Sequence, residues 1–174
     1  AKRDPALWQT PFDLAIREGR GGYPEAESVR LFPLEFVPVA SPAVARALSR
    51  RNGTLDWSRA RLLHEVSYDY WPDWIAAAGV TDVDVARGLF FSHTMLALDA
   101  ASEGQGVALA PLCLADRELA RGALTVVDPR VYAPGTGIHL AWPRRGLRTL
   151  SPAAVAFRDW LIEEAQAAAR SAAV

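Results

Sequence analysis

The stretch whose reading decides the fold is Gly88-Leu89-Phe90-Phe91-Ser92-His93-Thr94-Met95-Leu96-Ala97-Leu98-Asp99-Ala100-Ala101-Ser102-Glu103-Gly104-Gln105-Gly106-Val107-Ala108-Leu109-Ala110-Pro111. A short apolar run meets three polar residues, a helically spaced segment follows and stops at Gly104, and a second apolar run ends at Pro111. That order spells strand, polar corner, helix, strand. Met95, Leu98 and Ala101 are expected on the buried helix face, with Asp99, Ser102 and Glu103 toward water. The corner falls at the carboxyl end of a strand and the amino end of a helix, where free N–H groups favour a small anionic or polar ligand. Ser92, His93 and Thr94 are therefore candidate ligand contacts. A hydroxyl of Ser92 or Thr94 that caps the helix is compatible with this, because other first-turn N–H groups stay free.

On either side of this unit the same alternation continues. Phe12, Leu14 and Ile16 alternate with Asp13, Ala15 and Arg17, the period of a strand with one buried face. Val29 to Val39 is extended, and Pro33 and Pro38 point to an edge or a crossing segment. Ser41-Pro42 opens a helix that Asn52 and Gly53 end. Leu62 to Ser67 reads as a strand, and Trp71, Trp74, Ile75 and Ala78 recur at helical spacing until Gly79. A helix from Pro111 to Gly122, strands at Leu124–Val127 and Ile138–Trp142, and a helix opened by Ser151-Pro152 complete the chain. In that last helix Ala154, Phe157, Leu161 and Ala165 form the apolar stripe. Strands alternating with helices predict an α/β fold with largely parallel pairing and right-handed crossovers.

Composition narrows the function. The 174 residues carry a net charge of −1 with 22% charged residues, which is not the basic stripe of a nucleic-acid surface. Cys113 is the single cysteine, so neither an internal disulfide nor a thiolate metal cluster can form, and a reducing, cytoplasmic setting is expected. No apolar run is long enough to span a bilayer. His64, His93 and His139 lack the spacing of a helical metal pair, so no metal site and no cofactor are expected. There is no Gly-x-Ser-x-Gly elbow, and sequence neighbours such as Ser92 and His93 are not expected to face each other as a catalytic pair. Glu163 and Glu164 read as a solvated helix end, and Trp71 and Trp74 as core rather than a stacking platform. Arg17 is suited either to a ligand carboxylate or to a local acid.

The order and spacing of five short motifs resemble the effector-binding domain of LysR-type transcriptional regulators, in the branch of the glycine-cleavage and β-lactamase gene activators. They are Phe12-Asp13-Leu14-Ala15-Ile16-Arg17-Glu18-Gly19, Pro38-Val39-Ala40-Ser41-Pro42, Trp71 and Trp74 with Ala78-Gly79, Leu96 to Pro111, and Phe157-Arg158 with Trp160-Leu161. The resemblance implies two Rossmann-like halves of the periplasmic-binding-protein type joined by two crossing segments. The first half would comprise residues 1–39 and 133–174, and the second 40–132. The first half is expected to be incomplete, because the family's opening strand, helix and strand have no counterpart here. Neither does its winged-helix DNA-binding region.

Carried over by position, the resemblance implies an effector cleft lined by Arg17, Glu18 and Gly19 from the first half. Ser67, Tyr68, Ser92, His93 and Thr94 would line it from the second. Ile138 stands where the branch often has an aromatic hydroxyl. The implied function is a non-enzymatic sensor of a small polar effector that forms a homodimer, tetrameric in the full-length parent. DNA would be contacted only through the absent N-terminal domain. The rival reading is a free solute-binding protein or a small α/β enzyme using the same cleft; the enzyme lacks a nucleophile, a metal set and a cofactor fingerprint.

Overall fold

The computed structural model describes residues 12–24, 26–51, 54–67, 69–144 and 149–172. In chain order its elements are β1 (Ala15–Gly19), β2 (Ala26–Pro33), β3 (Phe36–Ala40), α1 (Pro42–Leu48), β4 (Leu62–Glu65), α2 (Trp71–Ala78) and β5 (Gly88–Phe91). They continue with α3 (Thr94–Ser102), β6 (Val107–Pro111), α4 (Leu112–Ala120), β7 (Thr125–Val126), β8 (Gly137–Pro143) and α5 (Pro152–Ala172). The chain forms two compact units, Ala1–Leu34 with Gly135–Val174, and Glu35–Pro134.

The first unit holds a three-stranded antiparallel sheet in the order β1-β8-β2. Leu31, Leu140 and Ala165 form its buried centre, with Leu14, Val29, Phe32, Ile138, Trp142, Leu161 and Ile162 packed around them. The expected buried face of β1 is covered only in part: Leu14 joins this cluster, whereas Ile16 is 59% exposed. Ser151 starts α5 as expected, its Oγ accepting from the Ala154 N–H across 3.2 Å. The stripe of α5 differs from the expected one, because Phe157 is 48% exposed. At about 100° per residue, Ala154, Leu161 and Ala165 fall near one line, and Arg158 lies closer to it than Phe157 does. Arg158 accordingly sets its guanidinium 5.2 Å over the Trp142 ring.

The second unit holds a five-stranded sheet in the order β5-β4-β6-β3-β7. Only β4 pairs in parallel, with β5 and β6; β3 runs antiparallel to β6 and β7. The expectation of largely parallel pairing is therefore corrected to a mixed fold. Helical crossovers enforce parallel pairing where α2 and α3 intervene, while β3 approaches the sheet from the other unit without one. Phe36 to Val39, expected in the first half, pair in this second sheet. Pro33 ends β2, as an edge or crossing position requires. Pro38 instead lies inside β3 between β6 and the two-residue β7, a tolerated place because β7 pairs only with Val39 and Ala40.

Helix boundaries follow the sequence closely. Ser41 caps α1 by accepting from the Val44 N–H at 3.4 Å, and the helix ends at Leu48; Asn52 and Gly53, expected to end it, lie outside the described residues. Gly79 closes α2 in the left-handed conformation at φ 65°, which only glycine adopts without strain. Trp71 and Trp74 are both 1% exposed and pack with Trp57 and Leu62, as core residues should. On α3 the buried face is Ala97, Leu98 and Ala101, packed on Val37, Val39, Leu63 and Ala108. Met95, expected on that face, is 47% exposed because it belongs to the first turn, where α3 has just left the polar corner.

Candidate functional site

The corner forms where two parallel strands end side by side. Glu65 is the last residue of β4 and lies opposite Phe91, the last residue of β5, and the Val66 N–H extends the pairing by donating to the Phe91 carbonyl at 3.0 Å. Chain then turns outward on both strands, leaving Val66, Ser67, Ser92 and His93 exposed and Thr94 half-buried at the first turn of α3. Both loops leave from the carboxyl ends of parallel strands, the end of an open α/β sheet at which ligands are held.

The side chains of the corner are arranged differently from the sequence expectation in three respects. First, neither Ser92 nor Thr94 caps α3. His93 occupies the cap position in extended conformation and makes no side-chain cap bond. Thr94 Oγ1 donates instead to Glu65 Oε2. The Leu96 and Ala97 N–H groups donate to the His93 carbonyl, while among the described residues no side chain accepts from the N–H of Thr94 or Met95. Second, Ser92 and His93 do face each other, with Oγ and Nδ1 2.9 Å apart. The extended backbone of His93 brings its ring back over the preceding residue. Among the described residues no carboxylate orients this imidazole, and the one at the corner accepts from Thr94. Third, the corner contains that carboxylate. Glu65 was open to detection from the sequence, because it ends an apolar run two residues before Ser67.

Beneath the corner, His64 is buried and donates through Nδ1 to Asp69 Oδ2 at 3.1 Å, while Asp69 Oδ1 accepts from the Trp71 N–H at 3.2 Å. The His64 ring stacks on Phe90 with centroids 4.6 Å apart. This links the end of β4 to the start of α2 and fixes the turn that carries Ser67. Tyr68, the neighbouring expected contact, lies outside the described residues.

The expected contacts of the first unit are the last residues of β1. Arg17, Glu18 and Gly19 stand opposite His139, Ile138 and Gly137 of β8, each half-buried. Arg17 and Glu18 both have partners within the protein. His139 is buried and its Nδ1 donates to the Gly137 carbonyl at 3.0 Å. Gly21, at φ 73°, passes so close that a Cβ there would stand 3.0 Å from His139 Nε2. Among the described residues no group of three or more His, Cys, Asp or Glu side chains is placed to hold a metal ion.

A separate cavity of about 450 Å³ in the second unit shares no residue with the corner; Trp57, Val80, Asp82, Asp128 and Arg130 are among its walls. Asp128 is 5% exposed, and its Oδ1 accepts from both the Nε and the backbone N–H of Arg130, at 2.8 and 3.0 Å. Arg130 Nη1 also donates to the Ala78 carbonyl at the end of α2. Burial would raise the Asp128 pKa, yet the Arg130 hydrogen bonds and charge outweigh it and hold the carboxyl below its ordinary value of 3.8. A group with a depressed folded pKa contributes stability above its unfolded pKa, and loses it as pH falls through the folded one. Asp128→Asn is therefore expected to cost about 2 kcal/mol at neutral pH. In urea titrations across pH, the gap to the wild-type protein should close below the ordinary carboxylate value, and a gap that widens in acid would contradict this.

The LysR substrate binding domain family model matches residues 6–166 of the chain. The chain belongs to this family. Over 160 residues it is 33% identical to the HTH-type transcriptional activator AmpR of Pseudomonas aeruginosa, covering 91% of this chain and 52% of that protein. It is 31% identical over 155 residues to the glycine cleavage system transcriptional activator of Escherichia coli, covering 89% and 50% respectively. This LysR substrate binding domain thus spans about half the length of the relatives it matches. The effector domain of AmpR from P. aeruginosa superposes with a TM-score of 0.76 at 31% identity, covering 93% of this chain and 76% of that one. The fold of the LysR domain is accordingly the two-unit, periplasmic-binding-protein-like α/β fold. Among its described residues no helix is long and apolar enough to cross a membrane.

Proposed function

We propose that this chain is the effector-sensing domain of a cytoplasmic LysR-type transcription regulator, and that it binds a small polar effector without transforming it. The observation that carries the reading is the uncapped amino end of α3 beside exposed Ser67, Ser92, His93 and half-buried Thr94, at the carboxyl ends of paired parallel strands. Arg17, Glu18 and Gly19 are the further contacts assigned by the family pattern, with Tyr68 beside Ser67. An effector that binds one conformation of such a domain more tightly than another shifts the population toward it, which is all that signalling requires. Self-association as a homodimer, and DNA contact through a separate N-terminal domain, complete the proposal.

The test is calorimetric titration with amino acids and cell-wall peptides. Thr94→Val removes one hydroxyl and Arg17→Ala one guanidinium, and each is expected to weaken binding about tenfold, the effect of losing a single good polar contact. Far-UV circular dichroism and melting should stay those of the parent. Binding that is the same in both variants as in the unaltered protein rejects these contacts.

A further inference from the structure

The net charge of −1 conceals an uneven distribution. Between Ser41 and Leu62 the chain carries Arg46, Arg50, Arg51, Arg59 and Arg61 against a single acid, Asp56. All of these arginines are exposed. The fold gathers them: after α1 the chain doubles back, the Arg50 N–H donating to the Thr54 carbonyl at 2.7 Å and the Asp56 N–H to the Leu48 carbonyl at 2.8 Å. Arg59 then reaches the end of α1, where its Nη1 donates at 3.3 Å to the carbonyl of Ala47, the neighbour of Arg46. Acids of the protein answer few of these charges. Arg50 pairs with Asp56 at 2.8 Å and with Asp82 at 3.4 Å, whereas among the described residues Arg46, Arg51 and Arg61 have no ion-pair or side-chain hydrogen-bond partner.

A helix end accounts for part of this, since its dipole favours a cation in the last turn, and Arg46 stands there. It does not account for Arg51, Arg59 and Arg61, which lie beyond that turn, where crowded like charges repel. We propose that this arginine-rich turn is a docking surface for an acidic segment of a partner protein, one that presents several Asp or Glu carboxylates within a few residues. Guanidinium groups meet carboxylates in planar, two-pronged pairs, and arginine is enriched at protein interfaces. Asp56 and Asp82 on Arg50 are the kind of contact that the unpaired arginines would repeat. A nucleic acid is the less suited polyanion. The segment offers no exposed aromatic side chain for stacking, Trp57 being buried, and the remainder of a net-acidic chain repels an extended phosphate backbone. The surface shares no residue with the corner at α3 and does not depend on effector binding there.

The test is fluorescence anisotropy of a short, labelled, end-blocked peptide of alternating Glu and Asp, titrated with the protein in about 50 mM salt. The expected result is saturable binding that Arg46→Glu combined with Arg51→Glu weakens about tenfold, as does raising the salt to about 200 mM. Neither arginine has an internal partner, so the circular dichroism and melting of this double variant should match those of the parent. Arg87→Glu combined with Arg117→Glu makes the same change in net charge at exposed sites outside the turn, and should leave the affinity within about twofold. No binding of the acidic peptide overturns the proposal, and so does undiminished binding in the Arg46 and Arg51 variant. An equal loss in the two double variants means a response to net charge alone and overturns it as well. Tighter binding of a short duplex DNA than of the peptide, lost in the Arg46 and Arg51 variant, assigns the turn to nucleic acid and overturns the acidic protein partner.

Discussion

Trp74→Ala is expected to destabilise the second unit by about 3–5 kcal/mol, the cost of emptying a large buried aromatic site. The indole of Trp74 lies edge-on to Trp71 with centroids 5.7 Å apart and tilted against Trp57 at 5.2 Å. Its Nε1 donates to the Arg130 carbonyl at 2.8 Å, joining α2 to the segment after β7, and the Arg130 guanidinium sits 5.6 Å from the ring. Alanine removes the packing, strands a carbonyl and takes the aromatic face from the guanidinium. Trp74→Phe keeps most of the volume and loses the hydrogen bond, so it should cost about 1–2 kcal/mol. Urea unfolding followed by circular dichroism measures both, and a Trp74→Ala midpoint equal to that of the parent would refute the account.

The second large effect is expected from one methyl group. Gly88 begins β5 opposite Leu62, and a Cβ at this position collides with the Leu62 carbonyl oxygen and comes within 2.7 Å of the His64 ring. Neither neighbour can yield: the carbonyl belongs to the paired strand, and the imidazole is pinned between Asp69 and Phe90. Gly88→Ala should therefore force β4 and β5 apart at a cost of about 3 kcal/mol, near the upper end for overpacking. Gly106 stands in the same relation to the Arg61 carbonyl on the other side of β4. Because β5 leads straight into Ser92, the displacement also disturbs the corner, and effector affinity should fall with stability. Faster amide exchange across Leu62–Glu65 is the signature to measure, and unchanged protection there would rule the collision out. Gly79→Ala provides the contrast, since nothing lies within 4 Å of its Cβ and only the positive φ opposes it.

Local chemistry was legible in the sequence wherever it was decided locally. Ser41-Pro42 and Ser151-Pro152 announced helix starts, Gly79 a helix end, and the Gly88–Pro111 pattern a strand, corner, helix and strand, because caps, breakers and periodicity act within a few residues. What depended on distant partners was not legible. The direction in which β3 meets β6 follows from a chain crossing, not from the composition of either strand. Phe157 belongs to the apolar set of α5 by residue type, yet the line through Ala154, Leu161 and Ala165 passes Arg158 instead. The corner shows the same division. Ser92, His93 and Thr94 were identifiable as its polar residues, but the preference of Thr94 for Glu65 over the helix end required two segments separated by nearly thirty residues to meet. That meeting places a carboxylate beside the amino end of α3.

The order β1-β8-β2 carries a consequence for how the molecule comes into being. β1 and β2 both precede the second unit and do not pair with each other; among the described residues each pairs with β8, which lies between them. The intervening Glu35–Pro134 segment is continuous and holds every partner of its own sheet. During synthesis the second unit can close while the two strands of the first wait, unpaired, for Gly137–Pro143 to emerge from the ribosome. Forming the first unit means closing a loop of about a hundred residues, and a prefolded insert shortens that loop to the distance between its own ends. β8 is thus the keystone of the described sheet of the first unit, and a nascent chain that stops short of it lacks the partner that both β1 and β2 need.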